Sequence, residues 1–421
     1  MQSILDYVTR SQQREQHKLD SRFMDWSRFF TDSLSSGEEV SCIPIHEQPS
    51  LKALPDANAY SQGPKFVPSS YPRNRRILQQ TGEEKSTIDE ADIRPAEQLF
   101  KSESGSCPVG TVPVLRNQLL ANRTSNAYVR YRYHGNGFST LSTDGSTLSS
   151  GIDLSHHQWS QAYNGGVTGE FGGAGFNLNV WHPSVELSSE FSLSQVWITA
   201  GSYEHNNLNT IEVGWQVFQD LYNDTLPHLF VYWTRDGYNT TGCYNLDPRC
   251  QPGFVQTSKT LLVGGALSPI SETDGPQYEL KTLVFLDEGQ GVWWLQINND
   301  TVGYWPTSLF TELKAGATNI NWGGEIINNE ADGRHTKTDM GSGQFATSQF
   351  TDAEFKKTAF IRAMQTVDLN NTLHDAPANP SDGTFASNSG CYNAQRSSDL
   401  TSDWGTYMFF GGTGFSSNCS I

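Results

Sequence analysis

The sequence predicts an all-β chain: an antiparallel β-sandwich preceded by a smaller N-terminal domain. Three observations carry this. From about residue 153, short alternating segments recur: FNLNVW, SLSQVWI, TIEVGWQVF, HLFVYWT, KTLLVGG, ELKTLVFL and GVWWLQI. They are rich in β-branched and aromatic residues and are separated by Gly, Asn, Asp and Pro, which is strand-and-turn punctuation. No helical stripe of 12 residues interrupts them. The 421 residues include 11 Trp, 16 Tyr, 22 Phe and 38 Gly, the profile of a β-rich globular protein and not of a coiled coil or a disordered chain.

Four stretches follow in order. Residues 1–35 are charged and poor in turn signals and read as helix. Residues 36–134 form a second region with Pro44, Pro49, Pro55, Pro64, Pro68, Pro72 and Pro95 and the basic run Arg73-Asn74-Arg75-Arg76, where at most a few short strands are expected. Residues 135–152, GNGFSTLSTDGSTLSSGI, have linker composition. Residues 153–421 hold the strands.

Composition excludes several functions. A formal net charge of −17 argues against nucleic acid, whose phosphates need a basic patch. No run of 18 apolar residues exists, so no membrane-spanning helix is expected. There is no GxSxG elbow, HExxH or phosphate-binding loop, and Gly341-Ser342-Gly343 reads as a turn. His156 and His157 are neighbours that a strand turns to opposite faces, so both read as surface histidines. No metal or cofactor is expected. Six cysteines and sequons at Asn122, Asn223, Asn239, Asn299 and Asn370 favour an extracellular, oxidising compartment. A sixth sequon, at Asn418, has Cys419 as its middle residue. The N-terminus has no apolar signal core, so a secreted protein would need a signal peptide absent from this chain.

Two glutamates stand in unusual settings. In Thr210-Ile211-Glu212-Val213-Gly214-Trp215-Gln216-Val217, alternation puts Ile211, Val213, Trp215 and Val217 on one face, and Glu212, Gly214 and Gln216 on the other. Gly214 would leave room beside Glu212 for the close approach of another backbone or of a ligand. Glu325 follows Trp322-Gly323-Gly324 in a segment with almost no other charge. Two carboxyls held together cannot both ionise, so one retains a proton. The charged member can activate water while the protonated one polarises a carbonyl or protonates a leaving amine. A glycosidase also uses two carboxylates, and the aromatics would suit a carbohydrate-binding module. The residues alone leave these readings open, beside ordinary glutamates satisfied by solvent or backbone.

Several segments in order resemble the neprosin family: Phe191 to Trp197, Ile211 to Val217, Tyr232-Trp233-Thr234-Arg235-Asp236-Gly237-Tyr238, Thr241 to Asn245, Gly303 to Pro306, Trp322 to Glu325, and His335-Thr336 to Gly343. Cys42 to Pro49 and Cys107 to Pro113 with Arg116 are similar to the family's activation-peptide domain. The resemblance implies a zymogen, with residues 36–134 as pro-domain and inhibitor and 153–421 as peptidase. It implies a glutamic endopeptidase acting on proteins or peptides at acid pH, with preference for cleavage after proline. Glu212 and Glu325 take the catalytic positions, and Gln216, Tyr232 and Trp233 are expected to border substrate. Glu190 matches a family glutamate and is read as structural or solvated. The resemblance pairs Cys42 with Cys107, Cys243 with Cys250, and Cys391 with Cys419. The Cys243–Cys250 loop is longer than the family's, which bears on specificity. A monomer is expected.

Overall fold

Alternating apolar residues build two facing sheets. The computed structural model describes residues 31–52, 63–70, 92–116, 156–164, 170–247, 252–330, 334–347, 352–376, 383–400 and 402–419. The N-terminal strands are β1 (Thr31–Ser33), β2 (Glu39–Pro44), β3 (Ser69–Ser70), β4 (Ile93–Pro95), β5 (Glu97–Gln98) and β6 (Thr111–Leu115). Then follow β7 (His157–Tyr163), β8 (Gly173–Asn179), β9 (Ser192–Ala200), β10 (Asn209–Val217), β11 (His228–Thr234), β12 (Cys243–Tyr244), β13 (Val255–Gln256), β14 (Leu267–Ser268), β15 (Gln277–Asp287), β16 (Val292–Ile297), β17 (Asp300–Pro306) and β18 (Asn319–Ile327). The last are β19 (Ala359–Val367), β20 (Thr372–Asp375), β21 (Thr384–Ala386), β22 (Asn393–Asp399) and β23 (Gly405–Gly411).

One sheet runs β12-β11-β10-β9-β18-β7-β21 and is antiparallel throughout. The other runs β13-β17-β16-β15-β8-β19-β20-β3, with β23 on β19, β22 on β23, and β4 on β15. Between them lies the main core. Ile211, Val213, Trp215 and Val217 of β10 and Ile320, Trp322 and Ile326 of β18 belong to it, with Phe176 and Leu178 of β8 and Trp293 and Leu295 of β16. The predicted antiparallel sandwich is the fold found. Every tryptophan among the described residues is buried.

Two local expectations change. Residues 31–33 form a strand, so the helix expected over 1–35 does not extend through them, and residues 1–30 lie outside the described residues. KTLLVGG is a turn-bearing segment and not a strand. Its backbone serves the N-terminal region instead: the Lys259 carbonyl accepts from Cys107 N–H, and the Gln98 side-chain amide bonds the Leu262 carbonyl at 2.7 Å and receives Leu262 N–H at 2.7 Å. The N-terminal region also adds strands to the sandwich. β4 on β15 and β3 on β20 are parallel additions to the second sheet. Leu51 and Ile45 pack with Phe285, Trp294 and Tyr304, a cluster separate from the inter-sheet core, while Ile43, Val112 and Val114 join that core. The basic run 73–76 and the linker 135–152 lie outside the described residues.

Disulfides join Cys42 to Cys107 and Cys391 to Cys419. Cys243 is also disulfide-bonded, and Cys250 lies outside the described residues. His335 converges with Cys391 and Cys419, but the bridge consumes both thiols as metal ligands.

Trp322 is fully buried in the main core, next to the Gly323-Gly324-Glu325 segment. Trp322→Ala should lower unfolding free energy by about 3–5 kcal/mol, the usual cost of deleting a buried large aromatic. Denaturant unfolding followed by circular dichroism measures it, and a change below about 1 kcal/mol would contradict this packing.

Candidate active site

The face of the first sheet that points away from the main core carries a second aromatic cluster, including Trp159, Phe191, Leu193, Trp197, Phe230, Tyr232 and Tyr238. Strand register places both glutamates on it. Glu212 of β10 lies opposite Trp197 of β9 and Tyr232 of β11. Glu325 of β18 lies opposite Leu193 of β9 and Trp159 of β7. β9 alone separates the two glutamate-bearing strands. Gln195 of β9 stands between them, with Gly214 on one side and Gly323 on the other.

Those glycines have a steric reason. A Cβ on Gly214 would come within 1.9 Å of the Ser194 carbonyl oxygen and 2.8 Å of Gln195 Cβ. A Cβ on Gly323 would come within 2.1 Å of the Ser160 carbonyl oxygen. The space beside Glu212 is therefore taken by strand β9, the first of the two occupants, backbone or ligand, that the sequence left open. Close approach lets Gln195 Nε2 donate to Glu212 Oε2 at 2.9 Å.

Glu212 receives two more donors, Tyr238 Oη at 2.5 Å and Thr210 Oγ1 at 2.9 Å, both on Oε1. Tyr238 reaches it from a left-handed backbone conformation, φ 65°, costly for a non-glycine residue. The turn is held by Asp236, whose carboxylate accepts from the N–H groups of Thr240 and Thr241, and by Thr234 Oγ1, which accepts from Tyr238 N–H. Partial burial pushes Asp236 up, but bonds from the Thr240 and Thr241 hydroxyls, and then from their N–H groups, hold it below the usual carboxylate range. The Thr-Arg-Asp-Gly-Tyr segment thus aims one phenol at one carboxylate.

Glu325 is bonded differently. His157 Nδ1 lies 2.5 Å from its Oε1, and Trp159 lies opposite it on β7. His157 is not the surface residue expected. Its side chain is 2 % exposed, stacked on Trp159 at 5.7 Å and edge-on to Phe191 at 5.9 Å. The alternation argument did separate it from His156, whose ring bonds the Asn328 carbonyl.

Both glutamates are buried, Glu212 2 % and Glu325 0 % exposed. Burial pushes the Glu212 carboxyl up to about 7; the Tyr238 hydroxyl opposes the rise, the nearby Glu325 charge adds to it, and Gln195 and Thr210 oppose it. Burial likewise holds Glu325 well above the usual range, with Trp159 opposing. The phenol of Tyr244 is raised by burial first and then by the charges of Tyr232, Glu212 and Glu325, so it too feels both carboxylates.

Of the residues expected to border substrate, Gln216 and Tyr232 lie on the glutamate face. Gln216 Nε2 is 3.5 Å from the Tyr244 hydroxyl, and Tyr232 packs edge-on to Tyr244 at 4.7 Å. Trp233 does not. It pairs with Ile211, whose side chain faces inward, and packs in the main core against Phe310 at 6.0 Å. Successive residues of a strand face opposite ways, so Tyr232 and Trp233 could not both line one groove. Glu190 is fully buried and structural: it accepts from Asn329 N–H at 2.8 Å, Thr336 Oγ1 at 2.7 Å and Thr338 Oγ1 at 2.5 Å. Gln195, Tyr238, Thr210 and His157 complete the site and were not foreseen as parts of it. For the first three the signal was their place on the Glu212 face or in the adjoining turn.

A carboxyl whose folded value lies above its unfolded value stabilises the fold when protonated. That contribution is fully present below about pH 4.5 and is lost as pH rises through about 7 for Glu212. Glu212→Gln keeps the amide-sized shape without the charge. It should gain stability relative to the parent between pH 4 and 8, by on the order of 3 kcal/mol. Denaturant midpoints across that range test this, and parallel profiles would contradict the buried setting of Glu212.

The Neprosin family model matches residues 188–413, more than half of the chain and inclusive of both glutamates. Among solved structures, the chain is similar to Scytalido-glutamic peptidase with a peptide-based transition state analog, at 11% identity and TM-score 0.28, covering 61% of this chain and 98% of that one. A second structure of scytalido-glutamic peptidase, with a transition state analog inhibitor, matches at 12% identity and TM-score 0.26, covering 60% and 97%. Overlaps this low add nothing to the account of the site. The family match is of another order, and by it the chain belongs to the neprosin family.

Proposed function

We propose that this chain is a glutamic endopeptidase in which Glu212 and Glu325 perform metal-free hydrolysis of peptide bonds. The observation that carries this is the placement of two buried carboxyls on one face of one sheet, each above its ordinary range and one raised in part by the other. Such a pair holds a proton over a range where ordinary glutamates have lost theirs. The charged member takes a proton from water as its oxygen attacks the peptide carbonyl carbon. The protonated member gives its proton to the departing nitrogen as the C–N bond breaks. A carbohydrate-binding surface is disfavoured, because the described tryptophans are buried and offer no sugar platform.

The finer parts of the reading rest on the resemblance: action at acid pH, cleavage after proline, synthesis as a zymogen, and secretion. Two disulfides support an oxidising compartment. The sequon asparagines Asn223, Asn239, Asn299 and Asn370 are exposed and open to glycosylation, while Asn122 lies outside the described residues. Burial of both glutamates suits a closed form. No residue of the N-terminal strands belongs to the aromatic cluster around them; β3 and β4 of the proposed pro-domain pair with the other sheet, and Glu38 reaches the first sheet at its edge, beside His228 of β11.

Glu212→Gln and Glu325→Gln should each lower acid-pH proteolysis by at least about a hundredfold, the scale of lost acid–base help. Full activity in either variant would overturn the assignment. A peptide library digested in acid should show cleavage after proline, and none there would remove the specificity while leaving the chemistry. Incubation at about pH 3–4 should release a fragment beginning at about residue 130–155, in the Gly/Ser/Thr-rich region, with activity rising in step. Full activity in the uncut chain would show that the N-terminal region is no inhibitor.

A further inference from the structure

Two buried carboxyls with raised affinities pose a problem for a catalyst working in acid. Where Glu212 and Glu325 both hold protons, neither can take one from water. The structure places one group that answers this, on β7 beside β18. His157 Nδ1 and Glu325 Oε1 are 2.5 Å apart, with side chains 2 % and 0 % exposed. Atoms that close share a proton, and it can sit on either one.

We propose that His157 is a positioning residue that keeps Glu325 in its carboxylate form in acid, by donating Nδ1–H from an imidazolium ring. Register supports this. β7 pairs with β18 so that Trp159 lies opposite Glu325 and His157 opposite Ile327, one pleat further along the same face. The ring is locked between Trp159 and Phe191. In such apolar surroundings a lone carboxylate or a lone imidazolium is costly, whereas a contact pair with no net charge offsets much of that cost. The ionisable groups that face the pair are Glu212 on β10 and Tyr244 on β12, whose phenol responds to both glutamates. Glu212 takes neutral donors from Tyr238, Thr210 and Gln195. An imidazolium favours the carboxylate form of its partner more strongly than neutral donors do. The division of labour follows: Glu325 takes the proton from water, and Glu212 supplies the proton to the leaving nitrogen.

This inference rests on the glutamate reading, and the test separates the two. His157→Asn puts an amide nitrogen close to the Nδ1 position without a titratable charge, and His157→Leu removes both bond and charge. Each is activated as the parent is, and kcat and KM are measured from about pH 3 to 7 with one peptide substrate. The rise of kcat/KM with pH should move toward neutral pH by about one unit or more in both variants. Activity at about pH 4 should then fall about tenfold or more, carried by kcat, with KM changed less than about threefold. Recovery of the pH profile in His157→Asn would show that only geometry matters and would overturn the charge role. An unchanged profile in the variants would overturn it too. If His157→Leu fails to fold, His157→Asn alone decides. Should Glu212→Gln and Glu325→Gln be inactive while His157→Asn keeps the parental profile, the inference fails and the glutamate reading stands. If either glutamine variant is fully active, the glutamate reading itself fails.

Discussion

Everything about this site depends on the alternation of one sheet that must satisfy two unlike faces. β9, β10 and β18 send Val196, Ile198, Ile211, Val213, Ile320 and Trp322 into the space between the sheets. Their remaining positions are forced outward, and a carboxyl can be buried there only if donors surround it. Glu212 meets that condition through Gln195, Thr210 and Tyr238, whereas Glu325 meets it on one oxygen only, through His157. The chain keeps two costly groups buried on a face that a plain sandwich would leave polar and wet.

That alternation was readable where a segment was long enough to show it. The eight residues from Thr210 to Val217 gave the two faces of β10 correctly, and the structure repeats them residue by residue. Trp233 was misplaced because it was taken with Tyr232 as one motif and not tested against the same period. Gly214 was singled out as a place of close approach by a backbone or a ligand, and it is the backbone of β9 that comes close. His157 was hidden because its partner lies 168 residues away in sequence and only the β7–β18 register joins them. Long-range pairing of this kind leaves no local periodic signal.

The N-terminal region shows the same limit. Its prolines and lack of periodicity were read as weak structure, and its strands are indeed only two to six residues long. What sequence could not show is that they are completed by the other domain. Gln48 and Gln256 exchange bonds across 208 residues, and Gln98 caps the turn at Leu262 and Gly265. Buried glutamines satisfying backbone groups make such contacts specific, because each would leave several polar atoms unpaired if lost. KTLLVGG looked like a strand from its apolar residues, yet it supplies carbonyls and N–H groups to those side chains.

The same contacts constrain how an N-terminal region could be released in acid. Glu38 links it to the sandwich beside His228, whose ring bonds the Gly264 carbonyl and the Asp224 carboxylate, each at 2.8 Å. A carboxylate held by a histidine suggests a latch that acid would open. The sign is against it. Burial raises Glu38, with His228 and Ser36 opposing, so its protonated form is favoured in the folded state. Its contribution to docking is therefore complete below about pH 4.5 and weakens as pH rises. Acid strengthens this contact, and Gln48 and Gln98 do not titrate at all. Release by acid must then come from cutting the chain, or from contacts other than these anchors. Were the chain cut, an N-terminal core anchored in this way could stay docked, so cleavage and dissociation would be separate events.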